Sequence, residues 1–160
     1  MWFAYRYRRA DRRRVIALPS SEALHASSVA IGDRAVLIEG ASGAGKSDLA
    51  LRLIDRGAVL ISDDYTFLSR AGGALMASAP DTIAGKMEVR GLGILAVPHV
   101  DHVRVALVVR LTDAPERMPS DNVVRKIAGI AIREVAIDPR SASAPIKVEL
   151  ALKHFAGNEG

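Results

Sequence analysis

Cysteine is absent from the 160-residue chain. That excludes disulfide bonds, thiolate metal centres and a cysteine nucleophile, and it is compatible with the cytosol. Aromatic residues are few, at 4%. No apolar run approaches the ~18 to 20 residues that a membrane-crossing helix needs. There is no N-K-x-D guanine motif, which argues against a GTPase. Internal repeats and low-complexity tracts are also lacking. What is left is an ordinary globular composition, 49% apolar and 25% charged. The length suits one domain with a single substantial core.

The formal charge of +4 is unevenly spread. Arg6, Arg8, Arg9, Arg12, Arg13 and Arg14 crowd into nine positions near the start. Such a block can touch nucleic acid or anionic lipid. The favoured reading is a solvated, disordered arm over residues 1–20. No signal-like apolar stretch follows the arginines before Pro19, so this is not a secretory leader. Residues 21–157 are then near neutral and lack the charge of a nucleic-acid binder.

The centre of the chemistry is Gly40-Ala41-Ser42-Gly43-Ala44-Gly45-Lys46-Ser47, which fits the phosphate-binding pattern G-x-x-x-x-G-K-[ST]. Its context fits too. Ala35 to Ile38 is a short apolar run that reads as a strand feeding the loop, and Asp48 to Arg56 leaves it with helical spacing, with Gly57 at the C-terminal cap. Glycines bring backbone N–H groups close to phosphate oxygens, and the helix points its positive end at the same place. Lys46 supplies positive charge near the β and γ phosphates, and the Ser47 hydroxyl can bind magnesium.

Around this loop the pattern predicts mostly strands. Leu24 to Ile31 reads as one strand, turning at Gly32-Asp33 into a hairpin with Arg34 to Glu39. Ala58 to Ser62 is another, and Tyr65 to Ser69 and Ala74 to Ser78 flank the turn signal Gly72-Gly73. A short helix is expected from Pro80 to about Met87. Val103 to Leu111 is the most apolar strand; Asp113 to Asp121 reads as a loop. Val123 to Ile127 and Ile130 to Ile137 follow as strands, and Ala144 to Phe155 as a helix. The expected class is α/β, a mixed sheet with flanking helices rather than regular βαβ alternation.

The apolar run Ala58 to Ser62 ends in Asp63-Asp64, where a P-loop site takes its carboxylate. If the pair continues the strand, adjacent side chains point opposite ways, one to a metal and one to an acceptor hydroxyl. A carboxylate beside the γ-phosphate can take the proton of an attacking alcohol. Glu88-Val89-Arg90-Gly91-Leu92-Gly93 combines an acid, a base and two glycines that permit close backbone approach. His25 on its own reads as structural.

Taken in order, His25, the loop GASGAGKS, the strand end LISDD and the run EVRGLG resemble the catalytic domain of the HPr kinase/phosphorylase family, over roughly His25 to Ile137. That family phosphorylates a serine on HPr, the small phosphocarrier of the sugar phosphotransferase system. The resemblance implies a cytoplasmic protein-serine kinase with Mg2+ as cofactor, ATP as donor and HPr as partner. It also implies a fold similar to phosphoenolpyruvate carboxykinase, and a homo-oligomer, hexameric in the family. By position, Lys46 matches the P-loop lysine and Ser47 a magnesium ligand. Asp64 matches the base of phosphorylation and acid of the reverse reaction, with Asp63 beside it at the metal. Glu88 matches a second magnesium-binding acid within the signature Glu88, Arg90, Gly91 and Gly93. His25 matches an active-site histidine, and Arg117 matches a catalytic arginine on a flexible loop.

The departures are specific. The family's N-terminal domain has no counterpart beyond the basic arm, and its Gly-Arg loop associated with phosphorolysis is replaced by Asp138 to Pro145. The expected form is the short one seen in some α-proteobacteria, with kinase chemistry the firmer expectation. Two rivals stay open: a P-loop kinase of a small metabolite, and a catalytically silent nucleotide sensor.

Overall fold

The structure, a computed structural model, describes residues 21–156. The arm expected over residues 1–20 lies outside the described residues. Three parallel strands form the spine: β3 (Arg34–Glu39), β9 (Val103–Leu111) and β11 (Ile130–Ile137), with β9 between the other two. Their sequences are apolar at successive positions because both faces are covered. From β3 the sheet continues antiparallel through β2 (Ala26–Ile31) to β4 (Val59–Ser62). On the far side, β10 (Val124–Ile127) hairpins onto β11. The start of β9 instead pairs with β6 (Ala74–Ser78), which leads to β5 (Thr66–Ala71) and β1 (Ser21–Leu24).

The two faces of the spine bury different partners. On one, Val36, Ile38, Leu107 and Val109 pack against helix α1 (Lys46–Asp55) through Leu49 and Leu53, and against helix α2 (Ala144–Ala156) through Val148 and Leu152. On the other, Leu37, Val105 and Val108 meet Leu68, Leu75, Ile127 and Ile132. The sheet therefore curls its own outer strands over the face that no helix covers. Val105 and Leu107 serve opposite faces although two apart, because the β3–β9 register shifts there and adds a residue to β9.

Most expected elements are present, including both long helices and the β2–β3 hairpin. Helix α1 ends in a Schellman motif: Gly57, at φ 109, donates to Ile54, and Ala58 donates to Leu53. Two expectations need correction. The stretch after Pro80 is not a helix. Ile83 N–H bonds to Pro80 and Lys86 N–H to Ile83, three-residue turns that Gly85 (φ 72) ends before any i−4 bond forms. Lys86 then opens β7 (Lys86–Val89), which pairs with β8 (Gly93–Ala96) in a separate two-stranded sheet. The first strand is also not continuous: the chain bends at His25, between β1 and β2.

Candidate active site

Parallel β3, β9 and β11 end on the same edge of the sheet, so the segments 40–45, 112–123 and 138–143 gather there. Ligands of α/β sheets bind at this carboxyl edge. A Cβ on Gly40 would come within 3.0 Å of the Ala44 Cβ and 3.2 Å of the Leu111 Cβ, so a larger residue there would push the loop and the end of β9 apart by a few tenths of an ångström. Gly43 (φ 80) and Gly45 (φ 106) take left-handed backbone, and Gly45 caps α1. Ala44 N–H bonds to the Ala41 carbonyl at 2.9 Å and closes the turn. The Lys46 side chain is buried, its ammonium donating to the carbonyls of Gly40 (2.8 Å) and Ala41 (3.2 Å).

Asp63 ties three elements to one another. Its Oδ1 accepts the hydroxyls of Ser47 on α1 (2.6 Å) and Ser27 on β2 (3.0 Å), while Oδ2 accepts the Glu88 N–H on β7 (3.1 Å). Asp63 is 7% exposed, and its carboxylate is held by donors from all three elements. Asp64 does the reverse: its side chain is 56% exposed and its Oδ1 lies 2.8 Å from His25 Nε2. The divergence of the two acids does not come from strand alternation. Both follow the end of β4 in a bend, and Asp64 is left-handed at φ 68. His25 is itself held by a near-parallel stack on Tyr65, with centroids 4.8 Å apart.

Ser42, Gly43, Gly45, Lys46, Ser47, Asp63, Asp64, Glu88 and Arg90 all line one cleft of about 530 Å³. His25 reaches it through Asp64. Gly91 (φ 89) and Gly93 (φ 96) turn the β7–β8 hairpin that carries Glu88 and Arg90. Arg117 is exposed on the loop after β9 and is not among the cleft-lining residues. A smaller cavity of about 200 Å³ lies in the gap between β6 and β11 and includes Arg104 and Arg133, but it has no carboxylate and no loop glycine of the phosphate type. The larger cleft is the candidate site.

Among the described residues no three His, Cys, Asp or Glu side chains gather as a metal cage. The Ser47 hydroxyl in contact with the Asp63 carboxylate is the donor pair suited to magnesium, which draws its other ligands from phosphate and water. Two supporting clusters escaped the sequence. Arg125 on β10 bonds Glu39, the residue before Gly40, and Glu134 on β11, each at 2.6 Å. Burial opposes the Arg125 charge, but the two carboxylates outweigh it and hold the guanidinium above its ordinary value. In the loop after β11, the Arg140 N–H and then its guanidinium hold Asp138 below the usual carboxylate range. Arg52 of α1 anchors that loop through the carbonyls of Pro139 and Ser141. Ser27 and Ser28 are polar in an otherwise apolar strand, the only local sign of a buried polar network in β2.

The chain as a whole is similar to known proteins. The model of the HPr Serine kinase C-terminal domain family matches residues 17–156. An HPr kinase/phosphorylase of Bordetella pertussis is 38% identical over 115 residues, 64% of this chain and 37% of the relative. One from Clostridium tetani is 33% identical over 129 residues, 73% of this chain and 42% of the relative. The chain thus spans about two fifths of the length of these curated relatives. The solved structure of the Hpr(Ser) kinase/phosphatase from Coxiella burnetii superposes with a TM-score of 0.74 at 31% identity, covering 87% of this chain and 99% of that one. The curled mixed sheet is shared with that solved structure, and the chain belongs to the HPr serine kinase C-terminal domain family.

Proposed function

We propose that this chain is an ATP- and magnesium-dependent protein-serine kinase that phosphorylates HPr, acting in the cytoplasm on the phosphotransferase system. The observation that carries the reading is the division of labour between two adjacent acids on one cleft with the phosphate loop. Asp63 accepts three hydrogen bonds and is fixed against Ser47. Asp64 is solvent-facing and held by one histidine, free to accept a proton.

In this reading the N–H groups of Gly40 to Ser47 cradle the nucleotide phosphates, and Lys46 turns its ammonium from loop carbonyls to phosphate oxygens. Ser47 and Asp63, with Glu88 at the cleft wall, hold the Mg2+. Bound there, the ion neutralises charge on the phosphates. Asp64 takes the proton of the HPr serine hydroxyl as it attacks, and returns it in the reverse direction. His25 orients that carboxylate. Arg117 is assigned to charge stabilisation from the loop after β9, which begins beside Gly40. Positioning and electrostatics supply most of the acceleration, as phosphoryl transfer requires.

The test is incubation with HPr, Mg2+ and γ-labelled ATP. Label on an HPr serine that vanishes with Asp64→Asn supports the reading. ATP binding without label on HPr would overturn it in favour of another acceptor or a nucleotide sensor.

A further inference from the structure

We infer that Ser27 is a positioning residue of this site, which sets the Asp63 carboxylate and locks Asp64 in the backbone conformation that presents its own carboxylate to His25. The meaning of that geometry for catalysis rests on the function proposed above; the geometry itself does not.

Ser27 lies on β2 and is fully buried. Its hydroxyl makes two bonds whose directions are dictated by chemistry. A carboxylate can only accept and a backbone N–H can only donate. The hydroxyl therefore gives its proton to Asp63 Oδ1 (3.0 Å) and accepts the Asp64 N–H on a lone pair (3.1 Å). One atom thus grips the side chain of the first acid and the backbone of the second. This matters because Asp64 sits at φ 68, a left-handed conformation that aspartate tolerates better than most residues but that its surroundings must still select. Inside the turn, Tyr65 N–H bonds to the Asp63 carbonyl at 2.8 Å and the Ser62 hydroxyl to the Tyr65 carbonyl. Those bonds shape the turn, but they do not fix it to the rest of the site. Ser27 does, from the same short segment that supplies His25 two residues earlier.

An alanine at position 27 keeps the volume close but takes the partner from the Asp64 N–H and strips one of the donors from Asp63. Asp64 then loses the restraint that aims it. Ser28 provides the control, because the next residue along a strand faces the other way. Ser28 is equally buried, and its hydroxyl bonds Thr66 at 2.8 Å with no contact to either acid.

The experiment uses the whole chain carrying Ser27→Ala, Ser27→Thr or Ser28→Ala, with crystal structures, thermal melts and steady-state kinetics on HPr and ATP. In Ser27→Ala, Asp64 is expected to leave its left-handed conformation and the His25–Asp64 bond to open. Turnover then falls about tenfold while KM for ATP stays within about twofold, the pattern of lost orientation. Ser27→Thr, which retains the hydroxyl, restores both. Ser28→Ala lowers the melting temperature comparably and leaves turnover intact. The inference is overturned if Ser27→Ala preserves the Asp64 conformation and the His25 bond, or if Ser28→Ala reduces turnover as much. Should Ser27→Ala not fold, Ser27→Cys is read by the same criteria. If the unaltered protein does not phosphorylate HPr, the proposed substrate fails, and the crystal structures still decide the role of Ser27.

Discussion

The Asp63 carboxylate and the Ser47 hydroxyl are in contact at 2.6 Å, which joins the bend after β4 to the first turn of α1. Asp64, the next residue, makes no such bond to the loop and turns to His25 instead. Adjacent acids with such different partners should respond differently to the same isosteric change. In Asp63→Asn the NH2 either meets the Glu88 N–H donor to donor, or takes the place of Oδ1 and forces both serine hydroxyls to change from donors to acceptors. That substitution should cost about 1–3 kcal/mol of stability, measured by denaturant unfolding, and weaken metal-dependent nucleotide binding.

Asp64→Asn is exposed and can still bond His25, so its stability should match the parent within about 0.5 kcal/mol. Its turnover should nonetheless drop by ~100-fold or more, the contribution expected of a general base, while ATP affinity is kept. Near-normal turnover in this variant would remove Asp64 from the proton-transfer role.

Lys46 is buried with its ammonium on two loop carbonyls, so it props the loop as well as carrying charge. Lys46→Ala should therefore weaken ATP binding, read by calorimetry, and also lower the rate. Lys46→Arg should not rescue, because a planar guanidinium does not match the point-charge geometry of an ammonium between Gly40 and Ala41. Unchanged affinity and rate in Lys46→Ala would contradict the phosphate-loop assignment.

Tyr65 stacks on His25 at 4.8 Å and is itself half exposed. The ring, not the hydroxyl, carries the contact. Tyr65→Phe should leave turnover unchanged, whereas Tyr65→Ala should reduce it several-fold by freeing the imidazole, an effect in the range of about 0.5–1.5 kcal/mol for such pairs. Equal loss in both variants would point to the hydroxyl instead.

What could be read in the sequence is what is encoded locally. The loop between β3 and α1, the acids after β4 and the caps of α1 each depend on residues a few positions apart, and all stand where spacing placed them. The β7–β8 hairpin was not legible. Each of its strands has four residues; β7 alternates over Lys86, Met87, Glu88 and Val89 alone, too short a run to stand out, and β8 is exposed throughout with no alternation. The site's supports were hidden for a different reason. Ser27 and Asp63 are 36 residues apart in sequence, and Arg125 and Glu39 are 86 apart, so their partnership exists only once the sheet is assembled. Arg117 was placed by family likeness alone, and its loop leaves the right edge of the sheet without entering the cleft.

Arg125 sets the last expectation. It bridges Glu39 and Glu134, whose side chains are only 15% and 12% exposed, while Arg110 lies further from Glu134 at 3.9 Å. Arg125→Ala leaves two poorly solvated carboxylates facing each other beside the start of the phosphate loop. With the guanidinium itself about one third exposed, solvent screening trims the cost below that of a fully buried pair, to about 1–3 kcal/mol. Glu39→Gln in the Arg125→Ala background should recover part of that loss, because it removes one of the stranded charges. The double-mutant cycle then gives a coupling of about 1 kcal/mol or more between the two positions. Since Glu39 precedes Gly40, Arg125→Ala should also raise KM for ATP while Glu39→Gln partly restores it. Strict additivity in stability and in KM would mean that the ion pair neither holds the sheet edge nor steadies the loop.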